Sequence, residues 1–214
     1  MTPEPQSIVA ARRQLHALAE NVIAGPQYRA AGTIRMTALP DGIAGTALPI
    51  SMIGTTLVWE EGQAPLAGPV RALARAAGVD IGPPPAALYQ PVAQLAADAV
   101  LDIDPDAAGV IYRALYAGQR AVKTFVPEQD PVLWPEHFDV SSAADGINYG
   151  VAAGDDFYEL PYAYVAPWDL ANHPRSGPVW NASFGALHPL ETGRDVEALV
   201  ADISDFFRLV QSHM

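Results

Sequence analysis

A histidine and an aspartate two residues apart are the side chains of this chain best suited to chemistry. His137 and Asp139 follow Trp134 in a stretch whose pattern predicts a β-strand over residues 136–143. Residues two apart in a strand project from the same face of a sheet. The spacing therefore predicts a catalytic pair in which Asp139 orients His137, and His137 acts as a general acid or base without a metal.

The same pair leaves a metal-dependent enzyme open as an alternative. A histidine nitrogen and a carboxylate are two of the three ligands in the facial arrangement of many metal enzymes. The third ligand would come from His173, His188 or Glu159. A bare His-x-Asp spacing is equally typical of a polar strand face that only meets water. The sequence therefore names no cofactor and leaves enzymatic activity undecided.

Aromatic and polar residues gather around this pair, between residues 134 and 184. Tyr162 and Tyr164 alternate with alanine and valine, so the two rings are expected on one strand face. Such a mixture is typical of a pocket that binds a small molecule, although some of the rings must serve the core. The predicted ligand-contacting residues are Trp134, Asn148, Tyr149, Asp155, Glu159, Tyr162, Tyr164, Trp168 and Trp180.

The second half also resembles an uncharacterised group of actinobacterial proteins. The shared residues are Leu-Trp-Pro-Glu-His-Phe-Asp at 133–139, Asn-Tyr-Gly-Val at 148–151, and Pro-Tyr-Ala-Tyr-Val with Pro-Trp at 161–168. The residues at 24–28 are similar as well, so the resemblance spans most of the chain. The group has Ser-Pro where this chain has alanines at 152–153. The resemblance implies no activity, cofactor or catalytic residue.

Helices and antiparallel strands are the elements that would position these residues. Apolar residues at helical spacing predict helices over 7–24, 69–77, 106–125 and 193–212. Alternating patterns predict strands over 33–39, 46–53, 55–60, 136–143, 147–152, 161–167 and 179–184. Gly25-Pro26 is expected to end the first helix, Asp104 to cap the helix at 106–125, and Thr192 to cap the last. The prediction is an α+β fold with antiparallel sheet flanked by helices.

The two halves of the chain resemble each other, which favours an internal duplication of a helix-strand-strand-strand-helix unit. Asp-Gly-Ile occurs at 41–43 and again at 145–147, each time after an alternating strand pattern. Chance remains an equal explanation, because Asp-Gly is a common hairpin turn. We predict a single domain over 1–214, with pseudo-repeat halves 1–80 and 104–214 joined by a Pro/Ala-rich connection over 81–103.

Composition limits the classes of partner. The formal net charge of −12 opposes binding to nucleic acid and to anionic membranes, and no apolar run is long enough to span a bilayer. The chain has no cysteine and no secretory signal pattern, so we expect a cytoplasmic protein. The overall prediction is a small-molecule-binding protein. A non-catalytic structural or interaction protein, or a homo-oligomer with the polar strand face at its interface, stays open.

Overall fold

The fold is described from a computed structural model that covers residues 3–93, 95–96, 98–173 and 176–214. Its helices are α1 (Pro5–Leu18), a π-helix (Ala19–Ala24), α2 (Gly25–Ala31), α3 (Val70–Ala76), α4 (Pro105–Phe125) and α5 (Val196–Gln211). Its strands are β1 (Met36–Leu39), β2 (Gly42–Gly45), β3 (Ile50–Ile53), β4 (Thr56–Trp59), β5 (Gly62–Pro65), β6 (Ala67–Pro69), β7 (Val100–Asp102), β8 (Val132–Trp134), β9 (Asp139–Ala144), β10 (Ile147–Ala152), β11 (Tyr162–Pro167) and β12 (Ala186–Pro189). The α+β prediction is confirmed.

Ten strands form one antiparallel sheet in the order β12-β11-β10-β9-β8-β1-β2-β3-β4-β5, and β6 pairs with β7 separately. The large sheet consists of two meanders that meet where β1 pairs with β8, with Met36 opposite Leu133. Next to this junction the side-chain amide of Gln119, on α4, forms hydrogen bonds with the β1 backbone that a neighbouring strand would otherwise form. Its Nε2 donates to the Ala38 carbonyl at 3.0 Å, and its Oε1 accepts from the Ala38 amide at 2.9 Å.

Helices cover one face of this sheet, and α4 is central among them. It contacts α1, α5, β1, β9 and β10. As predicted, Asp104 caps its first turn by accepting from the amides of Asp106 and Ala107 at 2.9 and 3.1 Å. Ile111, Leu115 and other apolar residues of α4 are fully buried against the sheet and the neighbouring helices. Of the part of the chain that the structure describes, no helix is long and apolar enough to cross a membrane.

The first helical segment differs from the prediction because Gly25-Pro26 does not end it. The chain passes from α1 into the π-helix and continues through α2, which ends at Gly32 with a φ of 70°. The wide π turn comes just before Pro26. In a regular α-helix this proline could not donate to the carbonyl four residues back, and its ring would clash with that carbonyl. A local π-helix therefore preserves the helical direction across the proline.

Several strand and cap boundaries also differ from the prediction. Residues 46–49 form a bend between β2 and β3, and residues 179–184 are not a strand, because the edge strand is β12. The strand expected over 136–143 begins only at Asp139, after a turn in which Phe138 has a φ of 50°. The N-cap of α5 is Asp195 rather than Thr192, since its carboxylate accepts from the Ala198 amide at 2.8 Å.

The Pro/Ala-rich connection is held against the π-helix in its described part. The Glu20 carboxylate accepts from the amides of Val92 and Ala93 at 3.3 and 2.8 Å. Asn21 donates to the Ala93 carbonyl at 2.7 Å and accepts, through its own backbone carbonyl, from Gly82 at 3.0 Å. The segment also contains β7, which was not predicted.

The two Asp-Gly hairpins both form, but they turn at different positions. In the second hairpin Asp145 and Gly146 are the two turn residues, with φ values of 52° and 76°. In the first hairpin the turn falls one residue earlier, because Gly42 already pairs with Leu39. Each half contains a helical segment followed by a five-stranded meander, rather than the three strands of the predicted unit. A duplication of the halves stays a prediction.

Candidate functional site

Three adjacent strands build a buried polar pair on the sheet face opposite α4. Asp139 begins β9, Gly150 is central in β10, and Tyr164 lies on β11 directly opposite Gly150. The Tyr164 ring crosses over Gly150, and its hydroxyl donates a hydrogen bond to Oδ2 of Asp139. A β-carbon at position 150 would lie 2.6 Å from Cζ of Tyr164, so only glycine leaves room for the crossing ring.

Burial governs the chemistry of this Asp139–Tyr164 pair. Asp139 is 3% exposed, and burial raises its pKa to about 6, while the hydrogen bond from Tyr164 acts in the opposite direction. Burial and the neighbouring Asp139 charge raise the pKa of Tyr164 well above its ordinary value, so the tyrosine remains a hydroxyl donor. The pair is therefore a carboxyl group that changes charge near pH 6, held by a donor that stays protonated.

One oxygen of Asp139 is left without a hydrogen bond. Its Oδ1 is buried and has no partner among the described residues. The Ser141 hydroxyl, on the same strand face, lies close enough to lower the pKa of Asp139 but does not reach hydrogen-bond geometry with Oδ1. An unpaired buried acceptor is costly, by about 1–3 kcal/mol. A donor from outside the chain would satisfy this oxygen once the side chains that shield it from solvent move aside.

A cleft of about 440 Å³ opens above this pair. Its lining brings together a subset of the predicted site residues, namely Trp134, His137, Asp139, Asn148, Tyr164 and Trp168. The Trp168 indole is 71% exposed at the rim and donates to Oδ1 of Asn148 at 2.9 Å. On the opposite side the Arg35 guanidinium lies 5.9 Å from the ring centre of Trp134. The cleft has aromatic walls and a polar floor.

His137 does not form the predicted strand pair with Asp139. It lies in the turn before β9, its side chain is 75% exposed, and its Nε2 is 3.8 Å from a carboxylate oxygen of Glu136. The hydrogen bond to Asp139 comes instead from Tyr164, twenty-five residues further along the chain. His137 still borders the cleft. It therefore stands at the mouth of the cleft, and the buried acid lies at the floor.

The side chains proposed as a third metal ligand make other contacts. His188 lies 3.2 Å from Asp202 and stacks on Phe206, with ring centres 5.3 Å apart. His173 packs edge-on against Trp180 at 5.9 Å, and Glu159 is exposed. Within the described ranges, no three histidine or acidic side chains converge closely enough to hold a metal ion. The geometry gives the metal-dependent alternative no third ligand.

Other predicted ligand contacts lie outside the cleft. Tyr149 points to the helix-covered face and packs against Phe125 and Phe207, with ring centres 4.8 and 5.5 Å apart. Trp180 donates its indole N–H to the His213 carbonyl at 3.3 Å. Each of these rings therefore fills space in the fold.

Asp155, Tyr162 and Glu159 also fall outside the cleft. The Asp155 carboxylate organises its own loop by accepting from the amides of Phe157 and Tyr158 at 2.8 and 3.0 Å. Its other oxygen accepts from the Tyr162 hydroxyl at 2.5 Å. Tyr162 shares the strand face of Tyr164, as predicted, and their ring centres are 6.2 Å apart. The Tyr162 hydrogen bond nevertheless stabilises the loop that contains Asp155.

The cleft also has lining residues that the sequence did not indicate, including Arg35, Gln129, Asp130 and Ser141. Ser141 could have been found, because it is two residues from Asp139 and shares its strand face. Arg35 comes from the first half, just before β1, and reaches the cleft only because β1 pairs with β8. No local pattern contains that information.

Comparison of the chain with family models, curated proteins and solved structures finds no match. Any assignment of function therefore depends on the geometry of the cleft.

Proposed function

We propose that the protein binds a small polar molecule in the cleft above Asp139. The single observation that carries the proposal is the buried Oδ1 of Asp139, which has no hydrogen-bond partner among the described residues. A ligand hydroxyl or ammonium group donates to this oxygen, and Tyr164 holds the other oxygen in place. The cleft volume of about 440 Å³ suits a small ligand.

The walls of the cleft support recognition of a ligand with a flat or apolar part. Trp134 and Trp168 offer ring faces, and Asn148 stands beside the Trp168 indole as a further hydrogen-bonding group. Trp168 is 71% exposed without a ligand, so a molecule seated against it removes apolar surface from water. Binding at the floor and at the rim therefore uses different interactions.

A proton-transfer reaction is the second candidate, and it changes the role expected for His137. Asp139, with its pKa of about 6, exchanges a proton readily near neutral pH and is the better general base. His137, at the exposed mouth, relays protons to water or contacts the ligand. This assignment keeps both predicted catalytic residues but places the central step at the aspartate.

The test is a thermal-shift screen of small polar compounds, with hits measured by tryptophan fluorescence. A true ligand raises the melting temperature of the wild-type protein and alters emission from Trp168. Asp139→Asn removes the charged acceptor and is expected to weaken binding about 10- to 100-fold. Tyr164→Phe removes the hydrogen bond that holds the Asp139 carboxylate in place, so it is expected to weaken binding as well.

Tyr149→Phe is the matched control, because it removes a tyrosine hydroxyl from the opposite face of the same sheet. It is expected to leave the affinity unchanged. Hits that bind Asp139→Asn as tightly as the wild type would place the ligand elsewhere and refute the proposal.

The molar mass in solution distinguishes a homo-oligomer whose interface is the sheet face that carries the cleft. Light scattering after size-exclusion chromatography would then give a mass above that of one chain, and Trp168→Ser would reduce it. A mass of one chain, together with a compound that quenches Trp168, supports the small-molecule assignment.

A further inference from the structure

A second cavity adjoins the cleft and shares Glu136 and His137 with it. The cavity has a volume of about 470 Å³. Its other walls come from α1, from Val92 and Ala93 of the Pro/Ala-rich connection, and from the loop at 154–157. Arg12 and His16, one helical turn apart on α1, form one side of it.

Arg12 is the unusual residue of this cavity because its side chain is largely buried and no described residue pairs with its charge. Its side chain lies in the middle of α1 and is only 7% exposed. Its Nε is fully buried and has no hydrogen-bond acceptor among the described residues. Over the same residues, no carboxylate forms a salt bridge with it. A buried guanidinium is normally paired, since desolvation of its charge is costly.

The nearby carboxylates interact with the Arg12 charge at a distance, and none of the described ones forms a hydrogen bond with it. Asp155, Asp156 and Glu159 raise the pKa of Arg12, whereas burial lowers it more strongly. Asp155 already accepts three hydrogen bonds, two from backbone amides of its loop and one from Tyr162. Asp156 and Glu159 are exposed to water. The planar donor fork of Arg12 therefore borders a cavity in which no described residue accepts a hydrogen bond from it.

We infer that Arg12 anchors a subsite for the carboxylate group of a small molecule. A guanidinium binds a carboxylate through two parallel hydrogen bonds, and burial strengthens them. A doubly charged phosphate is disfavoured because three carboxylates, Glu136, Asp155 and Asp156, line the same cavity and outnumber its second cation, Arg13. A singly charged carboxylate gains the guanidinium contact with less repulsion.

The rest of the cavity suits the body of such a molecule. The His16 ring is stacked on Phe138 at 5.2 Å, and its Nε2 contacts the Pro135 carbonyl at 2.7 Å, so the ring is held in place. Phe157 is 53% exposed at the opposite wall. These side chains favour a carboxylate carried on a flat or apolar group, such as a benzoate-like ring.

The subsite is independent of the Asp139 cleft, although one ligand could extend past His137 into both. It depends on the buried Arg12, whereas the proposed function depends on the Asp139 oxygen that has no hydrogen-bond partner among the described residues. Asp139→Asn is therefore expected to retain carboxylate binding at Arg12. This separates a failure of the subsite from a failure of the proposed function.

The test uses benzoate as the probe and benzamide as its neutral counterpart. Protein labelled with ¹⁵N-arginine is titrated at neutral pH and constant ionic strength, and the Nε–H signal of Arg12 is followed. The signal is assigned by its loss in Arg12→Lys or, if that variant does not fold, by through-bond correlation to the Arg12 backbone amide in protein that also carries ¹³C-arginine. Benzoate is expected to shift it and benzamide to leave it in place.

Two arginine variants measure the contribution of the donor fork. Arg12→Lys keeps the charge but cannot form the paired hydrogen bonds, so benzoate affinity, followed through the backbone amides of α1, is expected to fall at least about tenfold. Arg71→Lys makes the same exchange at an exposed position of α3 and is expected to change nothing. If Arg12→Lys does not fold, the contrast between benzoate and benzamide in the wild type still tests the inference.

Four results would overturn the inference. The Arg12 signal could ignore benzoate at every soluble concentration, or respond equally to benzamide. Benzoate could bind Arg12→Lys as tightly as it binds the wild type. Inorganic phosphate could shift the signal at lower concentration than benzoate, which would make the subsite a phosphate site instead.

Discussion

Replacement of Asp139 by asparagine makes the protein less sensitive to pH, because it removes a buried group that titrates. The pKa of Asp139 is raised from 3.8 to about 6 by burial. The native state therefore binds this proton more tightly than the unfolded state. The stability that Asp139 contributes is fully present below pH 3.8 and is lost as the pH rises through about 6. The complete loss is about 3 kcal/mol, from about two pKa units at 1.36 kcal/mol each.

Roughly half of that loss, about 1–2 kcal/mol, falls between about pH 5 and pH 7.5. Asparagine has the shape of aspartate and can still accept the Tyr164 hydrogen bond, but it does not titrate. The free energy of unfolding of Asp139→Asn should therefore rise by about 1–2 kcal/mol, relative to the wild type, over this range. The lower limit stays above the isoelectric point of about 4.6, so the protein keeps a net negative charge.

Urea unfolding at both pH values, followed by circular dichroism, measures this difference. Glu128→Gln is the matched control, since it neutralises an exposed carboxylate in the loop after α4 and should show no such change. A difference between Asp139→Asn and the wild type that stays constant with pH would refute the reasoning. It would mean that water reaches the Asp139 carboxylate in the native protein.

Three further substitutions test how the fold supports the site. Gly150→Ala should displace the Tyr164 ring, raise the pKa of the buried carboxylate further and abolish ligand-induced fluorescence changes, because its β-carbon would lie 2.6 Å from that ring. Gln119→Leu should destabilise the protein by about 2–3 kcal/mol in urea unfolding, since it leaves backbone groups of β1 unpaired at the junction of the two meanders. Gly118→Ala should cost about 1–3 kcal/mol in the same assay, because the new methyl group would lie 2.6 Å from Cβ of Val151.

Each of these substitutions has a comparison within the chain. Gly109→Ala, on the same helix as Gly118, meets only the flexible end of Arg113 at 3.2 Å and should be tolerated. Tyr164→Phe removes the hydroxyl without moving the ring, so it separates the hydrogen bond from the packing. Gln119→Glu keeps the acceptor oxygen but loses the donor to Ala38, and should lie between the wild type and Gln119→Leu. A neutral effect of Gly150→Ala on the fluorescence response would contradict the proposed floor of the cleft.

Local pattern in the sequence determined most of the elements of this protein. The Asp104 cap, the helix that follows it, and the alternation at 147–152 and 161–167 are all confirmed. Each depends on neighbours a few residues apart, where hydrogen bonds and side-chain direction are fixed by the backbone period. The helix end at Gly25-Pro26 was wrong because a local π-helix carries the helix past the proline, and the strand start was wrong because Phe138, with its positive φ, forms a turn before Asp139.

The candidate site required the tertiary structure. The sequence indicated Asp139 and Tyr164 as separate members of a pocket, but paired Asp139 with its near neighbour His137. The observed pair needs three strands in register, with Gly150 between the two side chains. Arg35 enters the cleft only through the junction of the meanders. The surroundings of Arg12, in which no described residue accepts a hydrogen bond from its Nε, are built where segments at 92–93, 136–137 and 154–157 meet α1. Burial and register are properties of the assembled sheet, and they decide which of the polar residues can do chemistry.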